Sequence, residues 1–163
     1  MSGFAAGTIR PLSSPPPWFQ PAVPFRCLGP ECGDCCSGKH GTGAVWVNEE
    51  EIAELARLKG LSAEEFKARF TRSLGNGVSL VEKPNFDCVF YEPGKGCTVY
   101  PARPSQCRTY PFWSKVMAAK WKWDSEALDC PGIGVDGAHV PAAEIETALA
   151  ADAQRFPAGR PKR

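Results

Sequence analysis

The stretch Cys27-Leu-Gly-Pro-Glu-Cys32-Gly-Asp-Cys35-Cys36 holds four of the chain's eight cysteines. The others, Cys88, Cys97, Cys107 and Cys130, are dispersed downstream. A cluster followed by scattered partners is what a chain needs to close long loops onto one or two metal centres. Thiolates are soft, negatively charged donors that select zinc, copper(I) or iron–sulfur units over hard cations. The Cys32-x2-Cys35 spacing turns two thiolates toward one ion and serves zinc and iron–sulfur sites alike. Adjacent Cys35 and Cys36 project apart on extended backbone. They can therefore serve two neighbouring sites, or one can be a ligand and the other an outer or reactive thiol. Any one cysteine alone is more often a buried, inert small hydrophobe. The joint arrangement makes metal ligation the expected role of Cys27, Cys32, Cys35, Cys36, Cys88, Cys97, Cys107 and Cys130. Eight thiols are twice the complement of a four-coordinate site, so one and two centres both stay open.

The 163 residues suit one domain. Sixteen prolines and sixteen glycines impose many turns, and a small loop-rich core of this kind often needs cross-links. A net charge of +1 gives no field for nucleic acid or anionic lipid, and no apolar run reaches the roughly 20 residues of a membrane span. Neither a nucleic-acid nor a membrane partner is expected. The start of the chain lacks a basic segment followed by an apolar run, which places the expected location in the cytoplasm, where thiols persist. Four disulfides in a secreted form are the weaker alternative, because a Cys35-Cys36 pair fits a disulfide framework poorly.

Residues 1–24 read as a proline-rich, loosely packed extension, 25–156 as a cysteine-cluster metal-binding domain, and 157–163 as a basic tail. The fold class is α+β: a small, helix-rich, loop-rich single domain with a short hairpin, cross-linked by a cysteine-ligated metal centre. Ala44–Val47 reads as a strand. Asn48 with Glu51, and Ser62 with Glu65, are capping boxes that open two helices. The first carries Ile52, Leu55, Ala56 and Leu58 on one face and stops at Gly60; the second carries Phe66, Phe70 and Leu74. Gly75–Gly77 is a turn before a strand at Val78–Val81. Cys88–Tyr91 and Cys97–Tyr100 read as hairpin arms, each starting on a cysteine. A helical turn at Arg103–Cys107, partial helix over Lys115–Trp123, and a terminal helix over Pro141–Arg155 with Ile145, Leu149 and Ala153 on one face complete the expectation.

Arg26, Lys39, Arg103 and Arg108 are placed to offset thiolate charge. His40 is a weaker ligand candidate than any cysteine, and His139 weaker still. Trp113, Trp121 and Trp123 alternate with lysines as a single-strand nucleic-acid platform would, but core packing is the better reading. With no acid–base pair or phosphate loop beside the cysteines, catalysis is left open.

The segments Cys32-Gly-Asp-Cys-Cys36, Asp87-Cys88-Val-Phe, Gly96-Cys97-Thr-Val-Tyr, Arg103-Pro-Ser-Gln-Cys-Arg-Thr-Tyr-Pro-Phe-Trp113 and Cys130-Pro-Gly-Ile-Gly134 together resemble the YkgJ-type cysteine-cluster family of zinc- or iron-chelating domains. The family's usual lead-in is Cys-x2-Cys-x2-Cys-Cys, whereas four residues separate Cys27 from Cys32 here. The resemblance implies chelation at the matching cysteines, with zinc or an iron–sulfur cluster as cofactor. Related cysteine modules are found in proteins labelled iron–sulfur oxidoreductases and in flagellin lysine methylases. Three functions therefore stand side by side: a non-catalytic metal-binding protein, an iron–sulfur oxidoreductase or electron carrier, and a maturation factor passing metal to a protein partner.

Overall fold

The computed structural model describes residues 17–155. The first part of the expected extension and the whole basic tail lie outside the described residues.

Both capping boxes form. The Asn48 side chain accepts from the Glu51 amide at 2.9 Å while the Glu51 carboxylate accepts from the Asn48 amide at 3.0 Å. This opens α1, Glu49–Lys59, which ends on Gly60 in the left-handed conformation. Ser62 and Glu65 reciprocate in the same way to start α2, Ala63–Phe70. Satisfying orphan amides at a helix start typically stabilises it by about 1 kcal/mol. Ile52, Leu55 and Ala56 are buried as expected, but Leu58 falls off that face and is exposed. α2 stops before Leu74: Thr71–Leu74 is strand β2, which turns at Gly75 and pairs antiparallel with β3, Gly77–Leu80.

The expected strand at Ala44–Val47 reduces to a bridge between Trp46 and Ser79. On its other edge, the buried Gln106 amide takes the place of a neighbouring strand. It accepts from the Trp46 amide at 3.0 Å and donates to the Ala44 carbonyl at 2.8 Å. The hairpin is shorter than expected: only β4, Tyr91–Glu92, pairs with β5, Gly96–Cys97. Cys97 is on an arm, but Cys88 precedes the hairpin and bridges Glu82 instead.

Helices α3 (Ser105–Thr109), α4 (Ser114–Met117) and α5 (Lys120–Glu126) follow. The expected continuous helix over Lys115–Trp123 is broken at Ala119, which is extended. Trp123 is buried beyond the break, whereas Trp121 remains 68 % exposed. Strand β6, His139–Pro141, leads into α6, Ala142–Arg155. The inward face of α6 carries Ile145 and Asp152, while Ala153 is exposed. Asp152 is tolerated there because it accepts from the Ser114 amide and hydroxyl at 3.1 and 3.0 Å.

The packed region begins before Phe25. Strand β1, Ala22–Pro24, pairs antiparallel with β6, and Phe19 and Val23 are buried. Residues 17–24 therefore pack as part of the fold rather than as a loose lead. The Trp18 indole N–H donates to the Met117 carbonyl at 2.8 Å.

Two apolar clusters result. One gathers Ile52, Leu55, Phe66, Leu80, Phe90 and Val99 from α1, α2, β3 and the hairpin region. The other gathers Phe19, Val23, Phe112, Val116, Trp123 and Ile145 from the chain start and the C-terminal half. Each fully buried large side chain contributes about 1.5–3 kcal/mol. The seam between the clusters is where the cysteines meet.

Candidate metal centre

All eight cysteines line a single cavity of about 140 Å³. Leu80, Phe90 and Val99 of the first cluster and Phe112 of the second form its apolar walls. Each of the eight is a free cysteine, with none in a disulfide.

Local backbone geometry brings each segment in. Cys35 and Cys36 lie on a 3-10 turn, Asp34–Cys36, entered through Gly33 with positive φ. The Cys88 amide donates to the Cys36 carbonyl at 2.8 Å, and the Cys97 amide to the Pro30 carbonyl at 3.0 Å. Gly96 beside it has φ +75°, and a Cβ there would run into the Pro30 carbonyl, so the hairpin can approach the cluster loop only with glycine. Cys107 is carried by α3. The Arg26 amide donates to the Gly132 carbonyl at 3.0 Å, which sets Cys27 beside the Cys130 loop.

Three dispersed cysteines share a local device. The Phe90 amide reaches the Cys88 sulfur, the Val99 amide that of Cys97, and the Gly132 and Ile133 amides that of Cys130. A donor sits two residues past each cysteine, with Ile133 one residue further on at Cys130, an arrangement by which a tight turn offsets thiolate charge. Burial pushes the Cys88 thiol up to about 11 and raises Cys107 further. Cys107 is half-buried and lines the cavity. The Cys35 and Cys36 sulfurs are 4.0 Å apart. The neighbouring Cys35 and Cys97 sulfurs, and then burial, push the Cys36 thiol up. The Cys36 thiol accordingly pulls Cys35 down and Cys97 down to about 7.

Cys27 and Cys35 are the exposed members. The Cys27 sulfur is 3.4 Å from the Tyr100 hydroxyl, whose ring lies under the Arg103 guanidinium at 3.5 Å. Of the four cations expected to offset sulfur charge, Arg103 and Arg108 line the cavity, and Lys39 pairs with Asp34 at 2.8 Å. Arg26 does not line it. His139 is exposed on β6 and away from these walls, and His40 closes the 3-10 turn Gly38–His40. Tyr100, Tyr110 and Asp87 belong to the site's surroundings and carry no signal in spacing or composition. Tyr100 and Tyr110 line the cavity, while Asp87 holds the loop after Cys36.

Among the described residues, no three histidine, cysteine or carboxylate groups already stand in ion-holding geometry. The donor set nevertheless fits a thiophilic metal. A zinc–sulfur bond of about 2.3 Å puts tetrahedral sulfurs about 3.8 Å apart, close to the 4.0 Å between Cys35 and Cys36. Soft donors in this number around one cavity define a thiolate metal-chelating domain. Residues 26–131 match the family model CxxCxxCC, described as a "Putative zinc- or iron-chelating domain", and the chain belongs to that YkgJ-type cysteine-cluster family. No solved structure matches the chain. Among the described residues, no helix is long and apolar enough to cross a membrane.

Proposed function

We propose that this protein binds its metal through the eight cysteine thiolates and that the centre staples the two apolar clusters together. The observation that carries this reading is the convergence of all eight thiols on one cavity walled by both clusters. Cysteine-only centres are usually closed and structural, and a metal bound only by the native state contributes directly to folding. Zinc and an iron–sulfur cluster are both served by this donor set. Arg103 and Arg108 would offset part of the charge that four thiolates leave on a divalent ion. The reading puts the protein in the cytoplasm, where thiols stay reduced.

A second reading, metal or electron exchange with a protein partner, draws support from the site's open side. Cys27 and Cys35 are exposed. A second cavity of about 260 Å³, lined in part by Tyr110, Trp113, Glu126 and Asp129, shares Cys35 and Cys107 with the first.

Elemental analysis and an electronic spectrum of protein purified without oxygen test both readings. Stoichiometric zinc in a colourless protein, lost only with tertiary structure, supports the structural centre. Absorbance near about 400 nm supports iron–sulfur. Rapid loss to a mild chelator with the fold intact supports exchange. Protein that holds no metal, and takes none up when reduced and reconstituted, refutes chelation.

A further inference from the structure

Four residues separate Cys27 from Cys32, a longer loop than the family's usual Cys-x2-Cys step, and one neighbouring segment grips it at two points. The middle of the loop is fixed to the hairpin, where the Cys97 amide donates to the Pro30 carbonyl at 3.0 Å. The Cys32 amide closes a turn on the Gly29 carbonyl at 3.3 Å. The Cys27 end is exposed. Tyr100, three residues past Cys97, reaches that end, with its hydroxyl 3.4 Å from the Cys27 sulfur. Segment 97–103 therefore holds the loop once through main chain and once through the phenol.

Tyr100 is itself braced. It opens the 3-10 turn Tyr100–Ala102. Arg103, just past that turn, places its guanidinium 3.5 Å from the ring centroid, and its Nε donates to the Tyr100 carbonyl at 3.1 Å. Arg108 donates in turn to the Arg103 carbonyl. The stacked cation and the backbone bond restrict the ring, so the hydroxyl is aimed at the sulfur. Cys27, Tyr100, Arg103 and Arg108 all line the thiol cavity.

From this geometry we infer that Tyr100 is a positioning residue for Cys27, holding the exposed thiolate at the cavity mouth and so setting how firmly the metal is kept there. The inference rests on the thiolate chelation proposed above and adds a residue to it. A thiolate bound to a metal carries no proton, so the phenol must donate in that state, as a charge-assisted bond. Such a bond aims the ligand and offsets part of its charge. Without it, Cys27 is left with the main-chain anchor one residue earlier, the Arg26 amide bond to the Gly132 carbonyl at 3.0 Å.

The test loads the full chain with zinc anaerobically and compares wild type, Tyr100→Phe, Cys27→Ser and the double variant. Tyr100→Phe keeps the ring under Arg103 and removes only the hydroxyl. It should bind as many zinc ions as wild type, yet lose about 10- to 100-fold in a chelator competition. Peptide-mapped alkylation of the loaded variant should find Cys27 reacting faster and the other cysteines unchanged. Because the hydroxyl acts through the Cys27 sulfur, the double variant should bind zinc no more weakly than Cys27→Ser alone, the non-additivity expected of residues in contact. Wild type gives a reading that needs no variant: Cys27, though exposed, should be alkylated more slowly with zinc than without. Equal rates there, unchanged retention in Tyr100→Phe, or single losses that add in the double variant overturn the inference and leave chelation by the remaining cysteines standing. A wild type that takes up no zinc removes chelation itself.

Discussion

The Asp87 carboxylate accepts a hydrogen bond from the Gly38 amide at 2.6 Å, holding the loop after Cys36 against the residue before Cys88. Asn85 donates to the other carboxylate oxygen at 2.8 Å. The Gly38 amide and then Asn85 hold this carboxyl below the usual carboxylate range, so it is ionised at neutral pH. Groups that orient metal-binding segments typically matter about 10- to 100-fold in affinity. Asp87→Ala should weaken zinc retention by that order in chelator competition, with Asp87→Asn losing less. Unchanged retention in Asp87→Ala would show that the loop is set by other contacts.

Gly96→Ala should reduce metal content and melting temperature together. Its φ of +75° strains any L-residue, and its Cβ would meet the Pro30 carbonyl that accepts the Cys97 amide. The cost should exceed about 1 kcal/mol. Gly94→Ala is the control, since Gly94 has φ +79° but open space around a Cβ. It should lose stability from backbone strain alone and keep its metal. Equal metal loss in both variants would rule out the close approach as the cause.

Local chemistry made the helix starts legible. Asn48 with Glu51 and Ser62 with Glu65 announce their caps because each interaction spans three residues. The cysteine set was legible because no common structural role needs four cysteines in ten positions. What sequence spacing hid was whatever depends on distant partners. Gln106 standing in for a strand edge and Asp152 buried against Ser114 rest on contacts dozens of residues apart. The role of Phe19 and Val23 was hidden because β1 finds its partner only at β6.

Glu51 should make stability acid-sensitive. It accepts from the Ser105 amide at 2.7 Å and pairs with Arg155 at 2.6 Å, tying α1 to α3 and α6. Burial pushes its carboxyl up, but Arg155 and the Ser105 and Asn48 amides outweigh this and hold it below its ordinary value. A lowered carboxylate stabilises the fold above its unfolded pKa, about 4.3, and that contribution is lost as pH falls through the folded value. Glu51→Gln should flatten the fall in stability below about pH 4.3. Glu51→Ala, which leaves Arg155 buried without its carboxylate, should cost about 3–5 kcal/mol at neutral pH. A wild-type acid transition reproduced unchanged in Glu51→Gln would exclude this pair as its source.

Metal removal should be read most directly at Trp123. Its ring stacks on Phe112 with centroids 5.7 Å apart and an interplanar angle of 12°, and Phe112 is a wall of the cysteine cavity. Loss of the centre relaxes that wall, so stripping the metal should shift tryptophan emission, and Trp123→Phe should remove most of the shift. Zinc titrated back into the stripped protein should raise the melting temperature. A ligand at a thousandfold excess over its Kd adds about 4 kcal/mol, equivalent to roughly 10 °C for a domain of this size. Cys107→Ser should forfeit a large share of that gain, because Cys107 lines the cavity from α3 and a serine hydroxyl is a poor replacement for a soft ligand. A full temperature shift retained in Cys107→Ser would mean that the stabilising ion sits elsewhere in the cavity.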